Sequence, residues 1–240
     1  LQGGRERLEE SLAIYRELRE QAGAAGFGGS ALFQMARVRG QLERFDEAAA
    51  DYRSLIEESG ETPEGDVARF ELGILHNQAG RWAEAVDQLL SVRPGAHLFA
   101  RSRREAGQLL AQNGERQRAI ELFTAGLEGL DAGATGGEEA LFHYLLGATQ
   151  AQLGLQAAAL EHFEAAVATA GPELLERALY GRAATAFRLG RYRQAIAYLA
   201  RSWADEETAA AALRLLAAAH AALGQGTEAM AGYEALARGA

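Results

Sequence analysis

Two rows of side chains suited to holding another chain recur along this sequence, each at intervals of 34 to 40 residues. The first row is Phe33, Phe70, Arg104, Tyr144, Tyr180 and Arg214, all flat or planar-ended groups that can stack. The second is Gln41, Gln78, Gln112, Gln152, Arg188 and Ala222. Its glutamines offer amide donors and acceptors, the groups that pair with the backbone of an extended segment. Between the rows stand Arg37, Gly40, Ile74, Asn77, Gln108, Ala111, Ala148, Ala151, Ala184, Phe187, Ala218 and Ala221, whose size falls towards the C-terminal half. Counting the flanking positions, these stretches hold the arginines Arg37, Arg101, Arg104, Arg177, Arg188 and Arg214 against the glutamates Glu71 and Glu105. Guanidinium forks pair with carboxylates, so the expected chemistry is recognition of an acidic or carboxylate-ended peptide. Solvated arginine on a helix surface is the alternative reading.

Bond-making chemistry has no comparable candidate. No Ser/His/Asp arrangement sits in a motif, and the glycines Gly26, Gly28 and Gly29 lack the lysine and the strand of a phosphate loop. The pairs Glu57/Glu58 and Glu138/Glu139 read as solvated helix ends. Of the five histidines, His76 and His220 fall in equivalent packing positions, and His97 falls in a connector. His143 and His162 are close enough in sequence to suggest a metal, but they lie on different predicted helices and lack a partner carboxylate in a recognisable pattern. Packing is therefore expected for the histidines, with no metal, no cofactor and no enzymatic activity.

The elements that position these rows are set by a seven-fold echo. A small residue is followed four positions later by a bulky one in Ser11/Tyr15, Ala48/Tyr52, Ala85/Leu89, Ala119/Phe123, Ala159/Phe163, Ala195/Leu199 and Ala229/Tyr233. Five residues before these anchors stand Gly80, Gly114, Gly154, Gly190 and Gly224, with Glu43 and Glu6 in the first two units. Glycine there closes a helix in the left-handed conformation. Twelve before the anchors come Ala36, Gly73, Gly107, Gly147, Ala183 and Ala217, small enough to let two helices approach. Apolar residues run at helical spacing on both sides of each turn, as in Leu72, Ile74 and Leu75, then Trp82, Ala85, Val86, Leu89 and Leu90. Each unit thus reads as helix, tight turn, helix. Helices are predicted over 5–20, 30–42, 45–58, 66–79, 82–92, 98–112, 115–129, 138–153, 156–169, 174–189, 192–202, 208–223 and 226–237.

The pattern resembles the tetratricopeptide repeat family, which joins a leucine-glycine pair, an alanine and a large residue four later. Leu72-Gly73 with Gly80, Trp82, Ala85 and Leu89, and Leu146-Gly147 with Gly154, Ala159 and Phe163, match most closely. Other units depart: the large residue three before the anchor is Phe45, Trp82 and Tyr192 in three of them but Arg116, Gln156 and Gly226 in others. The resemblance implies an all-α fold, a right-handed superhelical solenoid of antiparallel helix pairs, with about six full repeats after one leading helix. The repeats are expected near 30–58, 66–92, 98–129, 138–169, 174–202 and 208–237, in one domain over 1–240. It also implies that the first helix of each pair lines a concave groove, so the two rows would face inward. The carboxylate clamp of chaperone-binding relatives needs lysines and asparagines; this chain has no lysine and only Asn77 and Asn113, so that clamp is not expected.

Composition narrows the partner. The chain has 240 residues, 48% hydrophobic and 24% charged, enough for a sizeable core. All 24 basic residues are arginine, in keeping with a GC-rich coding sequence. The net charge of −9 argues against nucleic acid, whose binding requires a positive surface. No apolar run is long enough to span a membrane in this segment, and the absence of cysteine excludes disulfides and thiolate sites. The opening at Leu1 and the missing polar cap after Leu236 suggest a piece of a longer protein. The expected function is a non-enzymatic module or scaffold that holds a protein or peptide in its groove. The alternative is a structural superhelical segment of a larger enzyme or envelope assembly, self-associating as a homo-oligomer through open solenoid ends.

Overall fold

The computed structural model describes residues 2–21, 28–130, 134–201 and 203–239. Thirteen α-helices follow one another among them: α1 Gln2–Gln21, α2 Gly28–Gln41, α3 Phe45–Ser59, α4 Pro63–Gln78, α5 Trp82–Leu90, α6 Phe99–Gln112, α7 Arg116–Glu128, α8 Gly136–Gln152, α9 Gln156–Thr169, α10 Pro172–Arg188, α11 Tyr192–Leu199, α12 Glu206–Ala222 and α13 Gly226–Gly239. No strand occurs among the described residues. Each helix lies where the repeat pattern puts it. The glycine-rich stretches 23–29 and 126–137 read from the sequence as loops between units, and there the structure differs: Gly28 and Gly29 open α2, Gly126 is buried in α7, and Gly136 and Gly137 open α8. The remainder of the expected 23–29 loop, residues 131–133 of the expected 126–137 loop, and Ser202, the expected end of the helix begun at 192, lie outside the described residues.

The fold is all-α, built of antiparallel helix pairs, and it forms two compact units, Leu1–Asn113 and Gly114–Ala240. In the first, α1 to α6 pack each against the next. Leu12 of α1, fully buried, meets Met35, Val38 and Leu42 of α2 and its turn. Tyr52 and Leu55 of α3 meet Leu32 of α2 and Leu72 and Leu75 of α4. In the second unit, α7 to α13 pack in the same sequential way, and first helices also touch each other, α8 on α10 and α10 on α12.

The turns inside the pairs share one geometry. Gly80, Gly154, Gly190 and Gly224 have φ of 74°, 80°, 72° and 74°. The next backbone N–H in each case returns to the carbonyl five residues back, as Arg81 does to His76 and Leu155 to Gln150, both at 2.9 Å. This double closure satisfies the last carbonyls of the first helix and reverses the chain within two or three residues. Glu43 fills the same place with φ 62°, a non-glycine residue in the left-handed region.

Close helix approach rests on the small residues. A Cβ on Gly73 would stand 2.7 Å from Leu89 Cγ, and one on Gly147 would stand 3.2 Å from Phe163 and from the Ala159 carbonyl. Gly181 is tighter still, 2.4 Å from Phe163 Cε1.

Polar groups that the packing buries are paired in detail. Asp66, fully buried, accepts from Nε and Nη2 of Arg93 at 3.0 and 2.7 Å, from the Arg93 backbone and from Arg69. Burial would raise its pKa, but the Arg93 hydrogen bonds and the two guanidinium charges outweigh this and hold it below the ordinary carboxylate range. Arg103, 8% exposed, donates to the carbonyls of Leu89, Leu90 and Val92 at 2.9 to 3.2 Å, closing the end of α5 while its guanidinium lies 4.2 Å from the Phe99 ring centroid. The turn arginines of the first unit reach back to an earlier helix, Arg44 to Glu9 of α1 and Arg81 to Asp46 of α3.

Candidate functional site

In the first unit, α2, α3 and α4 bring four of the expected polar and small residues around one open cleft of about 310 Å³. Its walls include Arg37, Gly40 and Gln41 from α2, Tyr52 from α3, and Glu71, Ile74 and Gln78 from α4. A Cβ on Gly40 would stand 3.0 Å from Leu75 Cδ1, so this small residue keeps the wall shallow. Arg37, Gln41 and Gln78 are exposed, and no hydrogen bond holds them among the described residues. Burial raises the pKa of Tyr52, and the Glu71 carboxylate adds to the shift. A free guanidinium, two free amides and one carboxylate thus share a single concavity.

The second unit has a larger cleft, about 900 Å³, between α8, α10 and α12. Tyr144, Arg177 and Tyr180, all expected residues, line it with Leu175, Ala211 and the loop before α12. Its charge departs from the expectation of a basic groove. Glu173, Glu176, Asp205 and Glu207 contribute four carboxylates, against Arg177 and Arg201. Two of these acids serve the backbone: Glu176 accepts the N–H groups of Ala204 and Asp205, and Asp205 caps α12 by accepting the Thr208 N–H at 2.7 Å. Those hydrogen bonds hold both carboxyls below their usual range. The sequence signal that was missed is the acidic first turn of α10 and α12.

The aromatic row is partly a packing feature. Phe70 is only 2% exposed, a correction to its placement as an open groove residue, because the Arg101 guanidinium covers it 4.9 Å from the ring centroid. Arg177 covers Tyr144 in the same manner at 5.0 Å. In both cases the arginine precedes the next member of the aromatic row by three residues, one helical turn, so it reaches back onto the ring of the preceding pair. Phe33 and Tyr144 also meet Tyr52 and Phe163 edge-on, at 5.8 and 6.0 Å. Phe187 packs on Tyr192 at 5.2 Å, and Tyr180 packs against the apolar cluster of Ala183, Leu199 and Ala212.

Other expected residues are engaged or scattered. Arg104 pairs with Glu105 at 2.8 Å, and Gln152 accepts from Arg116 at 2.8 Å, which removes its amide oxygen from the free row. Asn77, Arg101, Gln112, Arg188 and Arg214 are exposed, and Gln108 is half-buried. His76 is buried as expected. His143 and His162 do more than pack: their Nδ1 atoms face each other at 2.9 Å, and, contrary to the expectation from sequence, Glu139 one helical turn before His143 places a carboxylate 3.8 Å from its Nε2. Among the described residues no group of three or more histidine, aspartate or glutamate side chains is arranged to hold a metal, and no helix is long and apolar enough to cross a membrane.

The tetratricopeptide repeat model matches residues 33–97 and 104–174, more than half of the chain, over the pairs whose turns and close contacts are described above. The chain belongs to the tetratricopeptide repeat family. Members of this family generally serve as protein-interaction scaffolds. Solved structures of similar fold include the C-terminal part of a tetratricopeptide repeat-containing protein from Cytophaga hutchinsonii, with a TM-score of 0.73, 13% identity and coverage of 96% of this chain and 89% of that one. YrrB, described as a tetratricopeptide repeat protein with an unusual peptide-binding site, superposes with a TM-score of 0.63 at 17% identity, over 77% and 90% of the two chains. BtubC from P. vanneervenii gives 0.63 at 18% identity, over 88% and 91%. At these identities the likeness is one of fold. No curated protein matches the sequence significantly.

Proposed function

We propose that this tetratricopeptide repeat protein is a non-enzymatic interaction module that holds an extended peptide or partner segment on the first-helix faces of its repeats. The observation that carries the proposal is the first-unit cleft, where Arg37, Gln41 and Gln78 keep their hydrogen-bonding groups unspent beside Glu71. Amides of this kind match the alternating N–H and C=O groups of a strand. The guanidinium of Arg37 favours an acidic side chain or a terminal carboxylate at that point of the ligand. YrrB, of similar fold, is described by its peptide-binding site, which lends support by analogy.

Displayed peptide libraries with free or amidated C-termini test the reading. Enriched peptides should carry acidic or free carboxylate groups, and Arg37→Glu should weaken them about tenfold or more. Added salt should act in the same direction. Arg53→Glu, on an exposed position of α3, should leave binding unchanged. Arg101→Glu is a poorer probe, since it also uncovers Phe70. Equal losses from Arg37→Glu and Arg53→Glu would reject a cleft-based mechanism.

Self-association is the second reading, favoured by the exposed apolar side chains Ile14 and Leu18 on α1 and Met230 and Tyr233 on α13. Light scattering over a concentration series should then show growth that Met230→Glu suppresses. A strict monomer at high concentration would remove this reading.

A further inference from the structure

We infer that His143 and His162 form a one-proton latch between the two helices of the α8–α9 pair, closed while at least one ring is neutral and released once both are protonated. The two Nδ1 atoms are 2.9 Å apart. The ring centroids are 5.2 Å apart and the planes are tilted by 35°. The centroid separation exceeds the nitrogen separation by about two ring radii, so both nitrogens lie on the line joining the rings and their in-plane directions oppose each other. That is the geometry of an N–H···N hydrogen bond. Two nitrogens ligating one metal ion would both aim at a third point off that line, about 2.0–2.1 Å from each.

In the neutral pair one ring must donate Nδ1–H and the other must accept on a bare Nδ1. Glu139 Oε1 lies 3.8 Å from His143 Nε2 and favours a proton on that nitrogen. His143 is then the acceptor and His162 the donor. A first added proton keeps the bridge, as an imidazolium donating to an imidazole. The second removes the only acceptor and sets two like charges against each other across the same short gap.

The charged surroundings offer little relief for that second charge. Glu139 stands on α8 and Glu161 on α9, both exposed. Towards α7 the neighbours of His143 are Leu127, Leu130, Ala134 and Thr135. On α7, Arg116 is spent on Gln152 and Arg118 on Glu115, while Glu121 and Glu128 are exposed. On α10, Glu176 holds the Ala204 and Asp205 N–H groups, and Arg177 and Arg182 lie over Tyr144 and Tyr198; Glu173 and Arg188 are exposed. Burial first, and the His143 ring second, push the His162 pKa below its ordinary value, in line with a resisted second charge.

The latch has a place in the architecture. Each histidine immediately precedes one member of the edge-on pair Tyr144 and Phe163, and Tyr144 is a wall of the second-unit cleft. Releasing the bridge therefore frees the helix seam that fixes this wall, whether or not the cleft binds a peptide.

Nitrogen-15 NMR of the wild-type imidazoles over a pH titration tests the inference without a variant. Near neutrality one of the two rings should be protonated at Nδ1. The pair should then take up protons in two steps, the second at least about tenfold weaker than the first. Amide exchange in α8 and α9 beside the pair should accelerate through the second step. His143→Gln or His162→Gln should leave a single histidine that takes up its proton in one step. The latch is refuted by both rings carrying Nε2–H near neutrality, by two independent steps of equal affinity, or by a second step that leaves amide exchange unchanged. Stoichiometric zinc shifting both Nδ1 resonances would likewise refute it, in favour of a metal pair.

Discussion

Glu43 sits with φ 62° in the turn position that Gly80, Gly154, Gly190 and Gly224 fill elsewhere. An L-residue in that conformation costs about 1–2 kcal/mol, and glycine gives back part of the gain through its freer unfolded chain. Glu43→Gly should therefore stabilise the first unit by about 0.5–1 kcal/mol, read as a higher urea midpoint at unchanged slope. A lower midpoint would mean that the Glu43 side chain contributes something its backbone conceals. Titrating residues make a second expectation. Burial lowers the pKa of His76 and of His162 relative to the unfolded chain, so near pH 6 the unfolded state binds more protons than the native one. Stability then rises with pH in that range and is lost as pH falls below about 6.5. Asp66, whose pKa is lowered, adds a further loss only at lower pH, below about 3.9. Melting temperature should be level from pH 8 to 7 and fall from pH 6.5 towards 5, less steeply in His76→Gln. A melting temperature that climbs on acidification would contradict the burial of both rings.

At the scale of helices, the sequence made the pairs legible because two local requirements, a left-handed turn and a close crossing, leave small residues at fixed intervals. Gly73 and Gly147 were recognisable for that reason, and the contacts with Leu89 and Phe163 bear it out. Gly73→Val should cost about 1–3 kcal/mol through overpacking, measured by chemical denaturation. Gly147→Val should behave alike. A neutral outcome at both would mean that the helices can part without loss. What local spacing could not reveal was which groups meet across pairs. Phe70 reads as an open aromatic until Arg101, on a later pair, is laid over it. Gln152 reads as a free amide until Arg116 reaches it. The four carboxylates of the second-unit cleft belong to helix starts and a loop, outside the inward rows, so counting those rows gave a more basic surface than the cleft presents.

For the whole molecule, helix pairs that contact mainly their neighbours imply stability that is close to a sum of local terms, and unfolding that need not be a single step. The two tryptophans divide between the units, Trp82 in α5 of the first and Trp203 beside α11 and α12 in the second. Trp82→Phe and Trp203→Phe therefore each leave one fluorescent reporter of one unit. Urea unfolding followed by the two reporters should give separate midpoints. Adding Gly73→Val should lower the Trp82 midpoint and leave that of Trp203 in place. Coincident midpoints that move together would mean that strain at one crossing is felt throughout the chain, and the local reading of stability would have to be given up. The same pair of reporters connects stability to binding. A peptide held by the first-unit cleft around Arg37 should raise the Trp82 midpoint alone, by the logarithm of its concentration over its dissociation constant. An equal rise at both reporters would place the ligand, or its effect, beyond that cleft.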